Sequence, residues 1–174
     1  MMKIRQNRFE NLLYEKYSFI KWIFLGLFIA SILTHFFLSL ESADKSAALS
    51  GSVTEEVVKI IEDVTNKELD HDVAHSVIRK LIGHYGWFGL IGIFGFLTFR
   101  SFLNKKFYFS LILCLISGAL IATISELLQV IPSGRDANFK DIMIDYSGYI
   151  TAMLICFIIA LIYYRNNNQK NNIN

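Results

Sequence analysis

The chain has 174 residues, 53% of them hydrophobic, with a single proline, a mean hydropathy of +0.42 and a formal net charge of +2. So small a charge leaves no electrostatic footprint for a nucleic-acid partner, and apolar residues in long unbroken blocks exclude an ordinary soluble domain. The two cysteines, Cys114 and Cys156, lie mid-way along apolar blocks and read as small packing residues rather than a disulfide.

Residues 1–18 form a basic N-terminal segment with Lys3, Arg5, Arg8 and Lys16, and residues 19–40 form the first predicted transmembrane helix. A hydrocarbon core of roughly 30 Å needs about 20 helical residues, which the block from Trp22 to Leu40 supplies. A signal peptide cleaved near Ser42 and Ala43 is the competing reading, but such peptides carry only about 7–15 apolar residues, so a retained helix is expected.

Residues 41–82 are the only sizeable segment outside the apolar blocks. Ser42 to Gly51 is small and polar and reads as a linker. Ser52 with Glu55, and then Thr65 with Glu68, have the spacing of capping boxes, each predicted to open a helix. Val57, Ile60, Ile61 and Val64 stripe the first helix; Leu69, Val73 and Val77 stripe the second. The pair is expected to form an amphipathic hairpin that covers the spans or docks a partner. On the second helix Glu68, His71, Asp72 and His75 have a spacing that zinc can use, but a solvated polar face produces the same pattern. No metal and no cofactor are assigned.

Residues 83–164 hold three further spans, from Gly83 to Phe99, Phe107 to Leu128 and Ile142 to Tyr164, and residues 165–174 are a polar tail. Glycines at 83, 86, 89, 92 and 95 wind around much of the second span, which predicts a central helix packed by more than one neighbour. Arg100, Lys105 and Lys106 follow that span, and Arg165 and Lys170 follow the fourth. With the basic N-terminal segment, these charges predict that both termini face the cytoplasm and that residues 41–82 and 129–141 lie outside. The fold class is therefore an all-α membrane protein, a bundle of four transmembrane helices with a helical hairpin on the extracytoplasmic side.

Polar groups cluster at that outer end. Arg79, Lys80 and His84 precede the second span, Glu126 and Gln129 close the third, and Arg135 follows a turn set by Pro132 and Gly134. Asp141, Asp145 and Gly148 share one face of the fourth span. An acid at mid-bilayer costs roughly 2.5–3.5 kcal/mol, so Glu126 and Asp145 should point inward and find partners. Arg135 and His84 are the first candidates, with Lys80 and Gln129 behind them. The arrangement is either a clasp that ties three spans together or a ligand or catalytic site. His35, alone near the end of the first span, reads as an interfacial residue.

Two stretches resemble the VanZ-like family of bacterial membrane proteins. One is Arg79-Lys80 followed by His84, Tyr85 and Phe88; the other runs from Glu126 and Gln129 through Pro132, Gly134-Arg135, Asp141 and Asp145 to Gly148. Trp87 stands where many members show Glu. The resemblance covers residues 79 to about 160, with no match in the N-terminal half. It implies a bacterial cytoplasmic membrane and a link to the cell envelope, the family's namesake being associated with low-level resistance to the glycopeptide antibiotic teicoplanin.

Three functions fit these residues. The first is a non-enzymatic envelope protein whose partners are membrane lipids, a lipid-linked cell-wall precursor or an envelope protein, bound at Lys80, His84, Glu126, Gln129, Arg135, Asp141 and Asp145. The second is an enzyme on a lipid-linked substrate, with Glu126 or Asp141 as base, Arg135 stabilising anionic charge and His84 as acid; a divalent ion on Glu126, Asp141, Asp145 and His84 is its metal-dependent form. The third is a small transporter, for which the spans offer few polar groups below the outer layer.

Overall fold

Every apolar block forms a helix, because a backbone removed from water must pair its own amides and carbonyls. The computed structural model describes residues 19–66, 68, 70–103, 107–132 and 134–173. The N-terminal segment 1–18, Leu69 of the second predicted stripe, and Lys105 and Lys106 of the basic link lie outside the described residues. In chain order the elements are α1 (Ile20–Ser39), α2 (Ala43–Thr65), α3 (His71–Ile78), a π-helical stretch (Arg79–Gly86), α4 (Trp87–Phe102), α5 (Phe107–Leu128) and α6 (Phe139–Ile173). No strand occurs among the described residues.

Four helical lengths are long and apolar enough to cross a membrane: Ile20–Ser39, His71–Phe102, Tyr108–Leu128 and Phe139–Ile162. The protein is a multipass membrane bundle. The second length is α3, the π-helical stretch and α4 run together, so helix continues without a break from the 41–82 segment into the span. The polar tail is not a separate element, since α6 continues to Ile173.

α4 is the central helix and packs against α1, α5 and α6. Its neighbours each bury one face in the bundle: Phe28, Ser31, His35 and Ser39 on α1, and Ser110, Cys114, Gly118, Ile121 and Ser125 on α5. The shared core includes Phe88, Ile91, Phe96, Cys114 and Tyr149. Lipid tails are as apolar as leucine, so close packing and polar pairing hold such a bundle rather than hydrophobic contrast. Close approach is enforced at two glycines. A Cβ on Gly92 would strike the Tyr149 backbone, and one on Gly148 would strike the Tyr85 backbone. The expected central, multiply packed helix is therefore present, although only the inner glycines of the series make it so; a Cβ on Gly83 would meet nothing within 4 Å.

Cysteine packing agrees with expectation. Cys114 and Cys156 are free thiols, and Cys114 Sγ lies 3.2 Å from the buried Tyr149 hydroxyl.

The 41–82 segment departs from its predicted form. Ser42 to Gly51 is not a linker, because α2 begins at Ala43 and passes straight through Ser52. Its alanines sustain helix, and small size alone does not interrupt one. Thr65 does not cap the next helix either. It ends α2, donating its hydroxyl to the Ile61 carbonyl, and Asn66 closes that helix at φ 51°. Asp70 opens α3 instead, its carboxylate accepting from the Asp72 and Val73 amides. α2 and α3 pack together, with His71 Nε2 3.7 Å from Glu62 Oε1. The predicted stripes stay exposed at Ile60, Ile61, Val64, Val73 and Val77, while Thr54 and Val58 are the residues that α2 buries.

Candidate functional site

At one end of the bundle, beside the start of α2, polar side chains from the π-helical stretch, α5, the loop after it and α6 come together. Each reaches that place for a local reason. A π-helix closes its hydrogen bonds from i to i+5, so Arg79 and His84 are brought toward one side of the chain where an α-helix would swing them apart. Gly148 admits the Tyr85 backbone against α6, one turn from Asp145. Gly134, with φ 77°, supplies the left-handed turn that returns Arg135 to the bundle.

His84 and Asp145 are partners. The carboxylate is wholly buried and its Oδ1 stands 3.0 Å from His84 Nδ1. An ionised carboxylate only accepts, so with Asp145 ionised the proton sits on Nδ1 and Nε2 is the free nitrogen. Lys80 pairs with Asp141, Nζ to Oδ1 3.3 Å, as an ion pair without hydrogen-bond alignment.

The other expected pairings differ. Glu126 is buried to 1% exposure, yet it meets no cation directly; Oε1 accepts the Asn138 backbone amide at 2.6 Å and thereby ties α5 to the loop leading into α6. Arg135 does not clasp a carboxylate. Its Nη2 donates to Gln129 Oε1 at 2.5 Å and its Nη1 to the Glu41 carbonyl at 3.3 Å, joining the end of α1 to the end of α5. Burial lowers the guanidinium's hold on its proton, Arg79 adds to that, and Glu126 and Asp141 oppose it. A guanidinium remains charged through such a shift. Three buried carboxylate oxygens, Glu126 Oε2, Asp141 Oδ1 and Asp145 Oδ2, have no hydrogen-bond partner among the described residues.

A cavity of about 470 Å³ adjoins these groups. α1, α2, the π-helical stretch and the α5–α6 loop all contribute to its wall. Phe37, Leu38 and Trp87 supply apolar surface, while Lys45, Arg79 and Arg135 supply positive charge against one acid, Glu41. Of the seven residues of the predicted site, His84, Gln129 and Arg135 line it; Lys80, Glu126, Asp141 and Asp145 do not.

His35 is the main omission of the sequence reading. It is not interfacial but buried, stacked on Trp87 at 6.5 Å between ring centroids and set edge-on to Phe88 at 4.8 Å. It lines the cavity, and its Nε2 has no partner among the described residues. Its companion Trp87 donates Nε1–H to the Ser31 carbonyl at 3.1 Å, which fixes the wall on which His35 rests. The i, i+3, i+7, i+11 spacing of Phe28, Ser31, His35 and Ser39 was the available signal that His35 faces inward.

The zinc spacing on α3 is not matched by geometry. Among the described residues no group of three His, Cys, Asp or Glu side chains is arranged to hold a metal ion, which also removes geometric support for a divalent ion on His84, Glu126, Asp141 and Asp145.

A family model described as VanZ/LLP1 matches residues 22–160. The match takes in α1, whereas the resemblance read from sequence began only at residue 79. No curated protein and no solved structure matches the chain.

Proposed function

The chain belongs to the VanZ/LLP1 family, and we propose that it is a cell-envelope protein whose cavity binds the headgroup of an anionic lipid or lipid-linked precursor. The observation that carries this reading is the wall itself. Three cations and one acid face a space that is otherwise apolar, while the carboxylates of the cluster do not line it. Positive charge beside apolar surface selects an amphiphile with a negative head. The protein sits in the bacterial cytoplasmic membrane with both termini inside, an orientation supported by the basic segments flanking the spans. The cavity then opens at the outer leaflet, where such lipids present their heads.

Mass spectrometry of lipids retained by the detergent-purified protein tests the reading. Wild type retains an anionic lipid, and Arg135→Ala reduces that lipid at least several-fold. Retention of zwitterionic lipids in equal amount by both proteins counts against it. Sequestering or presenting an outer-leaflet lipid would also alter susceptibility to glycopeptides such as teicoplanin, which a deletion strain with plasmid complementation measures directly.

A second reading rests on the His84–Asp145 pair. A histidine whose Nδ1 is held by a buried carboxylate, on the wall of a cavity, is arranged to move a proton. The enzyme of this reading acts on a lipid-linked or phosphate-bearing substrate, with Arg135 beside the developing charge. Glu126 and Asp141 do not line the cavity, which weakens them as bases. His84→Gln distinguishes the readings, since loss of the envelope phenotype with lipid retention intact favours catalysis.

A further inference from the structure

The charges around the cavity are not equally free to meet a ligand. Lys45 and Glu41 face each other at 3.5 Å, Lys80 holds Asp141, and His84 holds Asp145. The Arg79 guanidinium has no hydrogen bond or ion pair with another described residue, and it stands close enough to Arg135 to disfavour the charge there. Arg135 spends two of its N–H groups on Gln129 and the Glu41 carbonyl, which fixes its plane and leaves three of its five donors. Two guanidiniums of like charge therefore share one wall. His35 adds a buried ring nitrogen, clamped by two aromatic rings and without a partner among the described residues. Unsatisfied buried polar atoms are rare and call for a partner.

We propose that the group bound here is a doubly charged phosphoryl group, a phosphomonoester or diphosphate carried on a lipid, with His35 Nε2 as a ligand contact beside Arg79 and Arg135. The inference rests on the anionic-lipid reading above and narrows it. A phosphodiester headgroup brings one charge and two free oxygens. A terminal phosphate brings close to two charges and three strong acceptors, which two forked guanidiniums and an imidazole N–H can all engage. The lipid's hydrocarbon leaves along Phe37, Leu38 and Trp87. Room beside them exists at Gly83, which lines the cavity and whose added Cβ would touch nothing within 4 Å.

Equilibrium binding to the full chain in detergent micelles tests this, with phosphatidic acid, phosphatidylglycerol of the same acyl chains, phosphatidylethanolamine and inorganic phosphate as probes. Wild type binds phosphatidic acid about ten-fold or more tighter than phosphatidylglycerol. His35→Phe, which keeps an aromatic ring on Trp87 but no nitrogen, weakens phosphatidic acid by a larger factor than phosphatidylglycerol and so removes most of that preference. Gly83→Leu puts a side chain on the cavity wall where an added Cβ touches nothing within 4 Å, so it weakens phosphatidic acid binding without lowering the melting temperature and holds the test open should His35→Phe misfold. Equal binding of phosphatidic acid and phosphatidylglycerol, unmoved by His35→Phe, overturns the inference and leaves the anionic-lipid reading standing. Inorganic phosphate competing as well as phosphatidic acid overturns the lipid source. No preference over phosphatidylethanolamine overturns both readings, and phosphatidic acid binding indifferent to Gly83→Leu places the lipid elsewhere and overturns this one.

Discussion

Asp145 is wholly buried inside a span, and the His84 Nδ1–H is the one hydrogen bond that its carboxylate makes among the described residues. Removing the acceptor leaves a buried imidazole N–H unsatisfied, a loss of about 1–3 kcal/mol. Asp145→Ala is therefore expected to lower the thermal midpoint of the purified protein clearly, and Asp145→Asn, which keeps an oxygen for Nδ1, to lower it by less than half as much. Arg135 makes a different argument. It bridges Gln129 and the Glu41 carbonyl at once, and a lysine ammonium lacks the planar fork for both. Arg135→Lys should keep the charge yet loosen the junction of α1 with α5, read as faster amide hydrogen exchange around residues 39–42 and 129–135; unchanged exchange there would dismiss the bridge. Sequence patterns pointed to His84, Arg135 and Asp145 because charged residues in apolar blocks stand out. They did not reveal Glu41, which contributes a backbone carbonyl that any residue could supply, and they undervalued His35, whose burial depends on aromatic neighbours fifty residues away.

α4 and the π-helical stretch before it show the same contrast at the level of elements. The glycine series announced close packing, but sequence gave no means of ranking its members. The structure does rank them, by what a methyl group would meet. Gly148→Ala forces α6 away from the Tyr85 backbone, and overpacking of this kind costs about 1–3 kcal/mol. Gly83→Ala meets open space and gains about 0.5–1 kcal/mol from helix propensity. Melting of the two variants in one detergent should move in opposite directions, and a parallel shift would mean that the helices are spaced differently. Helix lengths were legible because burial in lipid demands about 20 apolar residues. The π-helical winding was not; within it His84 pairs with Asp145 and Tyr85 meets Gly148, contacts across two elements that a local sequence pattern does not show. The start of α2 was misjudged because alanine and serine, read as a linker, sustain a helix.

For the whole molecule the decisive quantity is orientation, because a cavity for outer-leaflet heads works on one side only. The proposed orientation, which rests on the charge pattern alone, has the basic residues after the second span inside with the termini, and the loop carrying Arg135 outside. Thiol labelling of single-cysteine chains checks this. In a chain with Cys114 and Cys156 replaced by serine, Asp136→Cys sits on an exposed loop residue and Leu103→Cys at the other end of α4. A membrane-impermeant maleimide on intact cells should label the variant at 136 fully, and the variant at 103 only after permeabilisation. The reverse pattern would turn the Arg79–Arg135 wall toward the cytoplasm, where a glycopeptide outside the cell never meets the lipid it holds. The envelope reading would fall even though every hydrogen bond in the bundle stayed in place, since the bundle's internal geometry is the same in either orientation.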